Sequence, residues 1–388
     1  MGRFVIVVVD SCGAGALPDA AAYGDEGANT LGNTARRVGG LELPTLQSWG
    51  LGNLTDIPGC PATPEPRASF GTMAELSQGK DTTTGHWEMM GVVLDKGFTT
   101  FPHGFPPELM REWEQLSGVP GWLGNKTASG TVIIEELGPQ HLATGFPIVY
   151  TSADSVFQIA AHEQKVPLET LYRWCQAARE AGKKYGIARV IARPFVGEPG
   201  KFVRTYNRRD FSQPPPAGTV LDLLEQAGVQ IVGVGKIPDI YDGRGMARSV
   251  HTEGNADGLA KTQELLGDLG SSLLFVNLVD TDMLYGHRRD PAGYARALRE
   301  IDAALPGIAS ELRSDDVLVL TADHGNDPTF PGSHHAREQV RLIAYLPRRA
   351  RGRPLGVRES FADLGATVAE YFGVRAPRGR SFLAELSA

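Results

Sequence analysis

The sequence predicts an α/β fold: a mostly parallel sheet flanked by helices, with a second α+β module inserted into it. Three observations predict it. Phe4-Val-Ile-Val-Val-Val9, Ser272-Leu-Leu-Phe-Val-Asn-Leu-Val279 and Asp316-Val-Leu-Val-Leu-Thr321 are apolar runs without alternation, the pattern of strands covered on both faces. Helical spacing lies between them, as in Tyr294, Leu298, Ile301, Leu305, Ile308 and Leu312, and strand–helix alternation marks a parallel sheet. Pro- and Gly-rich punctuation at 101–107 and 213–218 brackets a middle stretch that reads differently.

The elements follow in order. The first strand stops at Asp10, and Ser11-Cys12-Gly13-Ala14-Gly15 turns the chain. The segment Gly79-Lys-Asp-Thr-Thr-Thr-Gly-His-Trp-Glu88 is a polar loop entering a helix, with 85–91 as its first turns. Inside the bracket, a helix is expected over 107–116, a strand over 147–151, a helix over 167–181 and a strand over 188–192. A helix at 219–227 and a strand at 229–234 follow, and alternation resumes. A chain of 388 residues exceeds what one hydrophobic core usually serves. Two domains are therefore expected: a core of 1–95 and 214–388, and an inserted domain of 96–213.

Composition narrows the function. Hydrophobic residues at 41% and charged residues at 21% are ordinary for a globular chain. A formal charge of -7, with no long Lys/Arg block, opposes attraction to phosphate backbones and argues against nucleic acid as a partner. The run 4–9 is too short for a signal-peptide core and ends in Asp10. No other apolar stretch approaches the ~20 residues of a membrane span. Cys12, Cys60 and Cys175 are odd in number and lack metal-ligand spacing, so buried thiols in a reducing cytoplasm are expected.

The chemistry gathers at strand ends. In parallel sheets ligands bind beyond the carboxyl ends of the strands, so three strands that each end in a carboxylate converge on one place. Asp282 and His287 follow one strand, Asp323 and His324 follow another, and His334-His335 comes soon after. Mixed Asp and His ligands suit borderline divalent ions such as manganese or zinc. The ligands exceed what one ion needs, and two close metals stabilise both oxygens of an in-line displacement at phosphorus. Singly, an Asp after a strand is usually a turn residue and a loop His is usually surface; the joint pattern is what points to metal. Near this edge Thr82 would sit at a helix N-terminus, where free backbone N–H groups and the dipole favour a phosphoryl group. A capping hydroxyl is the competing reading.

These segments closely resemble the phosphopentomutases, members of the alkaline phosphatase superfamily related to cofactor-independent phosphoglycerate mutase. The resemblance runs through Lys80-Asp-Thr-Thr-Thr-Gly-His-Trp-Glu-Met-Met-Gly91, Ile191-Ala-Arg-Pro-Phe-Val-Gly-Glu-Pro-Gly200, Gly235-Lys-Ile-Pro-Asp-Ile-Tyr-Asp242, Asp282-Met-Leu-Tyr-Gly-His-Arg-Arg-Asp290 and Asp323-His-Gly-Asn-Asp327, nearly the whole chain. It implies an alkaline-phosphatase-like core with a cap domain, and two manganese ions. Asp282, His287 and His335 would hold one ion, and Asp10, Asp323, His324 and the Thr82 oxygen the other. Of the adjacent histidines, His335 is chosen over His334 by alignment alone. Thr82 becomes the phosphorylated nucleophile. Substrate contacts fall to Ser152, Asp154, Arg189, Arg193, Arg204 and Lys236. The implied reaction interconverts ribose 1-phosphate and ribose 5-phosphate, or the 2-deoxyribose pair, through a bisphosphorylated sugar that also primes the enzyme. The implied partner is a pentose phosphate, with no obligate protein partner. A two-metal phosphatase or phosphodiesterase on the same core is the alternative.

Overall fold

The computed structural model describes residues 2–152, 155–332 and 334–387. The chain forms two compact units, one from Met1–Gly97 with Pro215–Ala388 and one from Phe98–Pro214. Among the described residues no helix is long and apolar enough to cross a membrane.

Among the described residues the first unit is built on nine strands: β1 (Phe4–Val9), β2 (Gly13–Ala16), β3 (Ser69–Met73), β10 (Gln230–Val234), β11 (Arg248–Val250), β12 (Ser272–Leu278), β13 (Val317–Thr321), β14 (Glu338–Tyr345) and β15 (Pro354–Arg358). Their order is β11-β10-β12-β1-β13-β14-β3-β15, with β2 beside β14. Every residue of β1 is fully buried, which is why the run carries no polar alternation. It pairs in parallel with β12 and β13, Val9 opposite Leu278 and Val8 opposite Thr321, so three strands end level with one another. β10 joins β12 in the same sense, while β14 alone runs against its neighbours β13, β3 and β2. That reversal has a consequence for the site: the beginning of β14 reaches the edge where the parallel strands finish.

Helices Asn255–Asp268 and Pro291–Ser310 pack together in one group, and Thr82–Met89, Val220–Gln226 and Ala362–Tyr371 form a second. The helix expected to begin near residue 85 begins at Thr82. Asp81 supplies the early start, its carboxylate accepting from the amides of Thr83 (3.0 Å) and Thr84 (3.2 Å). Cys12, Cys60 and Cys175 are all free and buried, and burial pushes the Cys60 thiol up to about 11.

At the start of β14, Glu338 is buried beneath the Thr30 helix. It accepts from the Thr30 hydroxyl (2.6 Å), the Thr30 amide (2.9 Å) and the Gly15 amide (3.2 Å). Burial outweighs these bonds and pushes the carboxyl up to about 7 from its ordinary 4.5. A folded-state value above the unfolded one means that this group's stabilising contribution is complete below pH 4.5 and is lost as pH rises through about 7. Glu338→Gln, which keeps an acceptor and cannot ionise, is expected to remove roughly 3 kcal/mol of that pH dependence. Denaturant midpoints at pH 5 and pH 8 check it: the wild type should fall more than the variant.

The second unit contains β4 (Leu123–Thr127), β5 (Ile148–Thr151), β6 (Val156–His162), β7 (Arg189–Val196), β8 (Val203–Arg204) and β9 (Arg209–Ser212), in the order β4-β5-β6-β7-β8 with β9 also on β7. On one face Pro107–Ser117 and Leu168–Gly182 pack over Val149, Phe157, Ile159, Val190 and Ala192. On the other, Gly130–Thr144 covers Leu123, Ile148, Tyr150 and Ala160. His141 and His162 are structural here. The His141 Nδ1 donates to the Phe146 carbonyl (2.7 Å), and its Nε2 accepts from the His162 amide (2.8 Å).

Candidate metal centre

The polar side chains of the first unit that matter chemically leave from strand ends on one edge. Asp10 follows β1, Lys236 follows β10, Asp282 and His287 follow β12, and Asp323 and His324 follow β13. His335 precedes the antiparallel β14, and the loop after β3 leads to Thr82. All of these except Lys236 and His287 are buried.

Two groups result, sharing His324. Ligand atoms of Asp10, Asp323 and His324 lie within 4.8 Å of one another, as do those of Asp282, His324 and His335. In the first group the His324 Nε2 is 3.3 Å from Asp10 Oδ1, 3.4 Å from Asp323 Oδ2 and 3.2 Å from Thr82 Oγ1. The His324 Nδ1 donates to the Gly325 carbonyl (3.1 Å), which turns Nε2 toward the carboxylates. In the second, His287 Nε2 is 3.2 Å from Asp282 Oδ2, and His335 Nε2 is 3.5 Å from Asp282 Oδ1. The adjacent histidines are separated by the fold: the His335 ring is buried against His324 with centroids 3.9 Å apart, whereas His334 is exposed.

Electrostatics bind the groups together. Burial pushes Asp323 upward, but the His324 and His86 imidazoles outweigh it and hold the carboxyl below its usual range. Asp282 lies well below that range because His287 and His335 outweigh burial in the same way. Burial lowers His324, and Asp323 and Asp10 reverse that and raise it well above its ordinary value.

Over residues 2–376 the chain matches the Metalloenzyme superfamily. A phosphopentomutase of Anaeromyxobacter sp. (strain K) is 64% identical over 385 residues, spanning 99% of this chain and 99% of its own. One of Dictyoglomus thermophilum is 52% identical over 388 residues, spanning 100% of this chain and 99% of its own. The chain belongs to the phosphopentomutase family. It is therefore an isomerase acting on a sugar phosphate and dependent on metal.

The donor set fits a divalent cation. Asp10 Oδ1 and Asp323 Oδ2 are buried carboxylate oxygens that accept no hydrogen bond, an arrangement that is costly unless a cation satisfies them. Carboxylate and imidazole donors together suit borderline ions.

Lys236, expected among the substrate contacts, stands inside this cluster: its Nζ is 3.4 Å from Asp10 Oδ2 and 3.4 Å from Thr82 Oγ1. One expectation about Thr82 is corrected. The Thr83 and Thr84 amides are not free to hold a phosphoryl group, because Asp81 occupies them. The same cap leaves the Thr82 hydroxyl unused for capping, so it points to His324 and Lys236. Asp280 turns away and accepts from the Asn255 amide (2.7 Å) at the start of a helix.

Four supporting residues went unassigned in the sequence reading. Asn277 donates to Asp10 Oδ2 (3.2 Å), and a lone amide within the apolar β12 was its signal. Asn326 donates to Asp282 Oδ1 (2.7 Å). His86 donates from Nδ1 to the Thr82 carbonyl (2.8 Å). Arg289 ties the two histidine-bearing loops, its guanidinium donating to Asn326 Oδ1 (2.7 Å), the Asp327 carbonyl (2.7 Å) and the His334 carbonyl (3.2 Å). In the second unit, Arg189 pairs with Asp210 (3.5 Å), Arg193 donates to Gln158 (3.0 Å), Arg204 is on β8 and Ser152 follows β5. Asp154 lies outside the described residues.

Proposed function

We propose that the chain interconverts ribose 1-phosphate and ribose 5-phosphate, and the 2-deoxyribose pair, with Thr82 carrying the transferred phosphoryl group. The observation that supports this reading is the Thr82 hydroxyl itself: it is buried, excused from capping by Asp81, and set between His324 Nε2 (3.2 Å) and Lys236 Nζ (3.4 Å). Two manganese ions, held by Asp10, Asp323 and His324 and by Asp282, His287 and His335, would supply neutralisation of charge on the phosphoryl and attacking oxygens.

The chain's own groups perform the rest. A free hydroxyl of the sugar monophosphate attacks the phosphorus of phosphorylated Thr82. The bond from phosphorus to Thr82 Oγ1 breaks, and the hydroxyl proton passes to that oxygen. The resulting bisphosphate presents its other phosphate to Thr82, whose oxygen attacks in turn, regenerating the phosphothreonine and the isomeric monophosphate. A sugar bisphosphate entering from solution would phosphorylate Thr82 and prime the cycle. Lys236 places a cation beside Thr82 Oγ1 where charge collects on the leaving oxygen. His86 fixes the Thr82 carbonyl, and Ser152, Asp154, Arg189, Arg193 and Arg204 contact the sugar phosphate. Water must be kept from the phosphothreonine, since its entry would turn the mutase into a phosphatase. Three free cysteines fit a reducing cytoplasm.

Incubation with ribose 1-phosphate and a trace of sugar bisphosphate tests the reading. The expected result is ribose 5-phosphate without inorganic phosphate, and a phosphorylated peptide mapping to Thr82 by mass spectrometry. Phosphate release matching substrate loss, with no isomer formed, would overturn it.

A further inference from the structure

The loop that carries the chain to Thr82 belongs to no helix or strand. It leaves β3 after Met73 and runs irregularly to the helix Thr82–Met89, so the place of Thr82 depends on which groups satisfy the backbone of 74–81. Two buried side chains hold it. Glu88, in the helix itself, accepts from the amides of Leu76 (3.0 Å) and Ser77 (2.7 Å). Arg337 takes carbonyls instead: its Nη1 donates to those of Ser77 (2.7 Å) and Gly79 (2.8 Å), and its Nη2 to that of Glu75 (2.9 Å), alternate residues of the loop.

The rest of the guanidinium is equally committed. Nη1 also donates to Glu75 Oε2 (3.0 Å), Nε donates to Asp19 Oδ1 and Oδ2 (both 3.2 Å), and Nη2 reaches Asp19 Oδ2 (3.1 Å). Arg337 is 1% exposed. Its amide donates to Asp25 Oδ2 (2.7 Å), the oxygen that also receives Lys80 Nζ (2.6 Å). Two residues earlier stands His335, and between them Ala336 exchanges backbone hydrogen bonds with Gly325 (2.7 and 3.1 Å), the neighbour of His324. One short stretch, 335–337, thus joins a buried histidine of the metal centre, the turn behind a second one and the loop before Thr82. A guanidinium so deeply buried returns little net stability against the cost of desolvating it; what its planar fork fixes is geometry.

We propose that Arg337 is a positioning residue for phosphoryl transfer: it locks the loop that carries Thr82 to the strand start that carries His335, keeping the nucleophile's oxygen in register with the metal centre. The proposal rests on the reading above that Thr82 carries the phosphoryl group. Lysine keeps the charge but reaches only some of these acceptors from a single point, which frees the loop to shift, and a misplacement of about 1 Å costs about 10²-fold in rate.

Steady-state kinetics and melting of the full chain, with and without manganese, test it in Arg337→Lys against Arg3→Lys. Arg3 is as buried, donates to Asp316 Oδ2 (2.9 Å) and the Glu311 carbonyl (2.7 Å), and lies at the opposite end of β1 from Asp10. Both variants should melt below wild type, and only Arg337→Lys should lose kcat, by about 10²-fold, with KM within about threefold and the manganese-induced rise in melting temperature kept. Wild-type kcat in Arg337→Lys, or an equal fall in Arg3→Lys, would overturn the positioning role and make Arg337 a packing residue. Loss of the manganese-induced rise would put its effect on the metal ligands and overturn it too. Asp19→Ala, which frees the Nε edge from the exposed side, decides the question should Arg337→Lys not fold: kcat lowered about fivefold at near wild-type melting temperature supports the proposal, and wild-type kcat overturns it. A wild-type protein that labels at Thr82 beside a fully active Arg337→Lys would remove this proposal alone; a wild type that does not label would remove the Thr82 reading beneath it and the proposal together.

Discussion

Thr82→Ala is expected to lose mutase turnover by about 10⁴-fold or more, because no neighbouring hydroxyl can take its place as phosphoryl carrier. Of the two threonines that follow, Thr84 donates its hydroxyl to Asp81 Oδ2 (2.6 Å) in the helix cap, and it is the Thr82 hydroxyl, not that of adjacent Thr83, that meets His324 Nε2 and Lys236 Nζ. The fold should tolerate the change. Alanine is the best helix former, the Asp81 cap stays intact, and the His86 bond is to the backbone carbonyl of residue 82. Melting temperature and metal content near wild type, combined with absent turnover and no phosphorylated peptide, are the expected set. Thr82→Ser should restore labelling and part of the rate, since it keeps the oxygen and loses only a methyl group. Full activity in Thr82→Ala would remove the nucleophile assignment, whatever its effect on stability.

The legible part of this fold was the part carried by local pattern. An unbroken apolar run such as Phe4–Val9 demands cover on both faces, and a carboxylate straight after it must lie at the sheet edge; three such runs were enough to bring Asp10, Asp282 and Asp323 together. The chain's reading as a parallel α/β core follows from the same runs. What was not legible depended on contacts distant in sequence or on competition between near-equal local choices. Asp81 and the threonines after it are all good N-caps, and only the packed structure shows that the carboxylate takes the amides and leaves the Thr82 hydroxyl free. Nothing in His334-His335 distinguishes two imidazoles. The direction in which the chain enters β14, with Arg289 gripping the His334 carbonyl, turns one ring outward and the other in. Lys236 reads as one more lysine after a strand. The pairing of β10 with β12 carries it to Asp10, far away in the chain.

Asp323→Asn is expected to separate metal binding from folding. In the wild type Asp323 Oδ1 accepts from the Ser11 amide (3.0 Å), and Oδ2, without a hydrogen bond, faces the His324 ring (3.4 Å). Asparagine can keep its oxygen toward Ser11, which then turns its NH₂ toward His324 and the former oxygen-donor position. An NH₂ donor cannot ligate a cation as a carboxylate oxygen does, and it removes one negative charge from a buried acidic group. Activity should fall by about 10³-fold or more, as for a lost electrostatic element of the reacting centre. The stability readout has its own sign. A cation that binds the folded chain alone raises stability by RT ln(1 + [L]/Kd), about 4 kcal/mol at a thousand times Kd, so wild-type melting should climb steeply as manganese is titrated into chelated protein. The variant should show little of that climb. Without metal it should melt somewhat below the chelated wild type, because the His324 and His86 imidazoles stabilise the ionised Asp323 carboxylate in the fold and asparagine gives up that attraction. Equal metal-induced shifts in both proteins would place the binding energy elsewhere and remove Asp323 from the ligand set.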